Sequence, residues 1–229
     1  LNEQHYPWPD VAEVRSYRQQ VNAVVNRVID EMPLALPITQ NSPAWIILMG
    51  IEHERIHLET SSVIIRQLPL EYVAPNHLWP ACQDTAPAET NSLLAVKGQK
   101  VTLGKTEQDQ TYGWDNEYGH KIFNVNDFKA AKFLVTNQEY LAFVEAGGYR
   151  SPQFWNEEGQ AWLAYTQAQM PRFWRLRQDK WWQRNLAEEI PLPLNWPVEV
   201  NQLEAKAFCN WKAEQKQSNI RLLTEAEWY

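Results

Sequence analysis

The chain has 229 residues, of which 44% are hydrophobic and 21% charged, with a formal net charge of −7. This is the composition of a globular protein with room for one large domain or two modest ones. The acidic balance excludes a general affinity for nucleic acid, and no apolar run approaches the roughly 20 residues that cross a bilayer as a helix.

In chain order, Pro7 and Pro9 lead into Asp10 and Glu13, which have capping-box spacing. They open a predicted helix to about Glu31, on which Val11, Val14, Tyr17, Val21, Val24, Val25 and Val28 recur at helical spacing. Ser42-Pro43 opens a second predicted helix, with Ser as N-cap and Pro at the first helical position. It runs to about Gln67, because Pro69 biases Leu68 away from helix. Two long helices patterned this way are expected in a bundle. Residues 71–92 carry Pro75, Pro80 and Pro87 among small and polar residues without periodicity, and read as a linker.

Beyond the linker, KVTLG and KIFNVNDF read as short strands. Thr136 with Glu139 caps a helix that ends at Gly147-Gly148, and Asn201 with Glu204 starts another, to about Gln217. Irregular Trp-rich stretches join these pieces; the chain has twelve Trp and nine Tyr, expected mainly in the core. The expected fold class is α+β, with a partial helical bundle in 1–70, the linker, and a loop-rich α+β domain in 93–229. Thr224 and Glu227 form a capping box in the closing RLLTEAEWY, so a helix begins as the chain ends, and residue 1 is Leu. Both features imply a segment of a longer protein. Cys82 and Cys209 form no CxxC pair and no disulfide framework, which fits a reducing cytoplasm.

The chemistry-bearing string is His53-Glu54-Arg55-Ile56-His57, inside the second helix. His residues at i and i+4 are one turn apart and can project to one metal ion. Their side of the helix also carries Trp45, Ile46, Met49, Gly50, Thr60, Ser61 and Ile64, an expected buried face, whereas Arg55 with Glu52 and Glu59 forms a solvated, salt-linked one. A zinc-peptidase reading makes Glu54 the general base. Its extended form fails, because Thr60 stands at the Gly position and Val63 at the final His, although spacing alone does not exclude a downstream Glu such as Glu71 or Glu89 as a third ligand. His5, His77 and His120 fall in a Pro-rich approach, the linker and a turn, where loop histidines are the simpler reading.

The stretch GIEHERIHLETSSVIIRQLP resembles the His-x-x-x-His-x-Glu helix of the DinB-like domain in sulfoxide synthases of thiohistidine biosynthesis. DNEYGH, VTNQEYLAFVEAGGY, WPVEVNQLEAKAFCNW and RLLTEAEW resemble the formylglycine-generating-enzyme-like (sulfatase-modifying-factor, C-type-lectin-like) domain that follows it in that family. LETSSVIIRQLP and HYPWPDVAEVRSYR resemble the ovothiol branch, with the ergothioneine branch as its near relative. The resemblance implies an oxygen-dependent oxidoreductase with non-haem iron(II) held by three histidines. Two of these map onto His53 and His57; the third is expected upstream of Leu1, since His5 does not match it. The family's catalytic tyrosine region is expected beyond Tyr229. L-cysteine, L-histidine and O2 are the implied substrates, joined by a C–S bond and oxidised to a sulfoxide. Glu54 then becomes a residue supporting the ligands rather than a base. Leu223 replaces the Pro common in the family and touches only a turn. The remaining alternatives are action on trimethylhistidine, a zinc peptidase, or a module that keeps the fold without the site. Oligomeric state is not legible.

Overall fold

The computed structural model describes residues 7–84, 86–87 and 89–229; His5 lies outside them. The first helix, α1 (Val11–Glu31), begins where expected, with the Asp10 carboxylate accepting the Glu13 N–H at 2.8 Å. The second, α2 (Pro43–Ile65), also forms, but the Ser42 hydroxyl turns back to accept the Thr39 N–H. No helix among the described residues is long and apolar enough to cross a membrane.

Contacts divide the chain into two compact units. One comprises the chain up to Leu58 together with Gly104–His120; the other comprises Glu59–Leu103 and Lys121–Tyr229. The division falls within α2 and not in the 71–92 stretch that reads as a linker. Among its described residues that stretch lacks regular structure beyond a 3-10 turn at Leu70–Tyr72, yet it is tethered within the second unit. The Trp196 indole donates to the Asp84 carbonyl at 2.8 Å, and Asn91 exchanges hydrogen bonds with the Phe133 backbone.

In the first unit the expected bundle packing is absent among the described residues. α1 buries no residue, and α2 buries only Ala44. Val11 and Tyr17 on α1 are about two-thirds exposed, and so are Ile46 and Ile64 on the face of α2 expected to be buried. The amphipathic pattern is sound, but the described chain offers no neighbouring helix against which those stripes close.

The second unit carries the core. Strands β1 (Leu93–Val96) and β4 (Phe128–Ala131) pair antiparallel, as do β2 (Lys100–Leu103) and β3 (Lys121–Asn124). Helix α3 (Asn137–Glu145) starts with the expected reciprocal box, Thr136 hydroxyl to Glu139 N–H and Glu139 carboxylate to Thr136 N–H. It ends at Gly147, whose φ of 78° is the left-handed conformation that glycine adopts without cost. Gly148 follows because a Cβ there would run into the Phe143 ring. Helix α4 (Glu157–Thr166) and α5 (Gln202–Lys216) follow in turn, and α6 (Glu225–Trp228) is the short helix that begins at Thr224.

The core gathers Tyr140 and Phe143 of α3, Tyr149, Phe154, Trp155, Trp174, Leu192, and Ala207 and Phe208 of α5. Tyr140 stacks on Phe208 with centroids 5.3 Å apart, and Phe143 meets Phe208 edge-on at 6.1 Å. Such pairs add about 0.5–1.5 kcal/mol each beyond area burial. The expectation of aromatic packing therefore holds for this unit, whereas Trp8 and Trp228 are largely exposed.

A three-stranded antiparallel meander, β5 (Trp174–Arg177), β6 (Lys180–Arg184) and β7 (Glu189–Pro191), occupies part of the stretch that reads as irregular. Trp174 lies opposite Gln183 and Leu176 opposite Trp181, so one face turns Trp174 and Trp181 to the core. The alternate positions, Arg175, Arg177 and Arg184, share the other face.

Candidate functional site

The two sequence-selected histidines are brought together. On α2 the His53 and His57 rings have centroids 4.5 Å apart and meet at 72°. This follows from the helix itself, since residues i and i+4 project from the same side one turn apart. Both side chains are exposed, as is Glu54, and a Cβ added at Gly50 would meet nothing, so the surface ahead of His53 is open. Beside the pair, Arg55 and Glu52 form the expected surface ion pair at 3.0 Å.

At this separation the two rings are close enough to reach one metal ion between them. The pair therefore fits as two donors of a larger set. No group of three or more His, Cys, Asp or Glu side chains gathers at one point among the described residues. His77 and His120 stand exposed in separate loops. A catalytic metal with three protein ligands would need a further donor from outside the described residues.

Within the same unit, Trp45 of α2 packs against Tyr112, with centroids 5.7 Å apart, and its indole donates to the Gly113 carbonyl at 3.3 Å. Tyr112 in turn meets Trp114 edge-on. The Tyr112 hydroxyl is buried without a hydrogen-bond partner among the described residues. Burial, followed by the Glu52, Glu117 and Asp115 carboxylates, pushes it above the ordinary phenol value. Sequence reading misses this contact, because Tyr112 lies in an irregular segment far along the chain from Trp45.

In the second unit a buried polar network lies under the core rings. The Tyr149 hydroxyl donates to Glu204 at 2.5 Å, and the Tyr140 hydroxyl donates to the Glu204 carbonyl at 3.3 Å. Burial raises the Glu204 carboxyl above the usual carboxylate range, against the lowering effect of the Tyr149 and Asn201 donors. The same burial pushes both tyrosines well above the phenol value. Glu204 also caps α5, since its other oxygen accepts the Asn201 N–H. This is a structural use of the acid, legible in sequence only as a capping box. Cys209 is buried and its thiol is raised by that burial, whereas Cys82 is exposed.

The chain is 26% identical over 226 residues to the hercynine oxygenase of Mycolicibacterium thermoresistibile, covering 98% of this chain and 47% of that relative. The hercynine oxygenase of Mycolicibacterium smegmatis is 26% identical over 222 residues, with 95% and 47% covered. Ergothioneine biosynthesis protein 1 of Neurospora crassa is 24% identical over 148 residues, 60% of this chain and 17% of that protein. The chain thus spans about half the length of the hercynine oxygenases it matches. Residues 81–229, which include the whole aromatic core, match the sulfatase-modifying factor enzyme 1-like domain. The chain belongs to the family of proteins that carry that domain.

Proposed function

We propose that this chain is part of an oxygen-dependent sulfoxide synthase that joins the thiol of cysteine to the imidazole of histidine. The observation that carries the reading is similarity to hercynine oxygenases along 98% of the chain, with the paired histidines inside the aligned length. In the proposed reaction a thiol S–H and an imidazole C–H are replaced by a C–S bond. One atom of dioxygen ends on sulfur as the sulfoxide and the other leaves as water, so the electrons of both oxidations pass to dioxygen.

His53 and His57 would hold ferrous iron as two of its imidazole donors, leaving the remaining positions to a third protein ligand and to substrates. Iron bound there would supply activation of dioxygen and a site for the soft thiolate. The contribution of this chain is positional. α2 holds both rings at one point, and the open surface at Gly50 leaves room for substrates to approach. Glu54 follows His53 directly; in this reading it supports the ligating histidines and is not a general base.

The LETSSVIIRQLP stretch supports free histidine as acceptor, the ovothiol-type reaction. A second reading, with hercynine as acceptor, is supported by the names of the relatives. The complete protein, loaded with iron and offered histidine and hercynine in competition with cysteine present, separates the two by product mass. Histidyl-cysteine sulfoxide in excess supports the first; the hercynyl product in excess supports the second. The ligand assignment is tested separately. His57→Ala and His53→Ala should each lower iron content of the complete protein at least about tenfold, and retention of full iron would remove these residues from the site.

A further inference from the structure

We propose that the basic face of the β5–β7 meander is a binding site for a small, multiply charged oxyanion, with Arg172, Arg175 and Arg184 as its recognition groups. The inference does not rest on the sulfoxide-synthase reading. A cleft of about 520 Å³ within the second unit is lined by five arginines, Arg66, Arg172, Arg175, Arg177 and Arg184, against one carboxylate, Glu189.

Two of the five are already matched. Arg177 pairs with Glu189 at 2.6 Å, and Arg66 pairs with Glu199 while its guanidinium lies 3.8 Å over the Phe173 ring. The other three have no carboxylate partner among the described residues. Arg172 spends one donor on the Gln67 side chain at 2.5 Å. Arg175 spends its Nη1 on the Arg172 and Trp174 carbonyls at 2.8 and 2.7 Å. Each retains unspent N–H groups in the planar fork that suits carboxylate and phosphate oxygens.

Arg184 is the decisive residue. Only 4% of it is exposed, yet no carboxylate forms an ion pair with it among the described residues. Its Nε and Nη2 donate to the Arg66 and Leu68 carbonyls at 3.2 and 3.1 Å, fixing the chain as it leaves α2. Its Nη1 is buried with no hydrogen-bond partner among the described residues. A buried guanidinium with an unused N–H and no ion-pair partner is an expensive arrangement, and an oxyanion in the cleft that Arg184 lines supplies the missing counter-charge. Burial, together with the neighbouring charges of Arg66 and Arg175, disfavours the Arg184 cation, against the favourable field of Glu189. The alternation that makes the site is simple. Arg175 and Arg177 are two apart on β5, and position 173 lies opposite Arg184, whose N–H bonds the Phe173 carbonyl at 2.8 Å. Arg175, Arg177 and Arg184 therefore share the face turned away from the core, and Arg172 lies in the turn just before β5.

The test is isothermal titration calorimetry of the complete protein with pyrophosphate, inorganic phosphate and citrate, chloride being used to hold ionic strength constant. Saturable one-site binding is expected, weakened at least about tenfold in the double variant R172Q/R175Q. These two residues are exposed, so the variant tests binding without disturbing the core. Arg184→Lys, with folding checked by circular dichroism, should weaken it as well. Tighter binding of pyrophosphate than citrate identifies a phosphate-bearing ligand, and the reverse order a polycarboxylate. Absence of saturable heat for all three anions at concentrations on the order of millimolar, or unchanged affinity in R172Q/R175Q, overturns the proposal.

Discussion

Glu204 shows how one residue can serve two local needs. One carboxylate oxygen caps α5 and the other accepts the Tyr149 hydroxyl under the core. Because burial raises its pKa in the folded chain, Glu204 keeps its proton after the unfolded chain has released its own. Stability from this group is present at low pH and is lost as pH rises from the ordinary carboxylate value of about 4.3 through the raised folded value. In Glu204→Gln that loss should vanish, so the urea midpoint falls less with rising pH across this window than in the parent. An identical pH profile in both proteins would show that the carboxyl is not raised. At Gly148 the expectation is steric. Gly148→Ala drives a methyl into the Phe143 ring, and a loss of roughly 1–3 kcal/mol is expected on urea unfolding. An unchanged midpoint would mean that the ring moves aside freely.

At the scale of elements, what could be read from the sequence was what is encoded locally. The boxes at Thr136/Glu139, Asn201/Glu204 and Thr224/Glu227 start their helices as read, because each is closed by residues three apart. Helix α4 escaped because its cap, Asn156, receives the N–H of Gly159, and glycine offers no side chain to complete the box. The β5–β6 hairpin escaped for a similar reason. Its turn residues, Gln178 and Asp179, both have positive φ, at 50° and 58°, where Asn-Gly would be the recognisable signal. Both faces of the meander also carry bulky side chains, so alternation of polar and apolar residues is blurred. Asp179→Gly should relieve the left-handed strain and raise stability by roughly 0.5–1 kcal/mol, seen as a higher melting temperature. A lower melting temperature would show that the Asp179 side chain stabilises the turn. The His53 and His57 pair was legible because helical spacing alone brings the rings together. Their exposure was not legible, since burial of a stripe depends on what lies opposite it.

At the scale of the molecule, the core lies in the second unit, and the apolar stripes of α1 and α2 remain uncovered among the described residues. The paired imidazoles sit on one such helix, two donors of a set that needs at least one more. The arginine face belongs wholly to the second unit and was missed in the sequence because its residues come from the segment just after α2, the turn before β5, and strands β5 and β6. The most direct measurement of the central claim is oxygen uptake by the complete, iron-loaded protein with cysteine, in the presence and absence of histidine or hercynine. Uptake that requires thiol and imidazole substrates together, and that matches sulfoxide formed mole for mole, is the result expected. No uptake, or thiol oxidation indifferent to the imidazole substrate, would contradict the assignment.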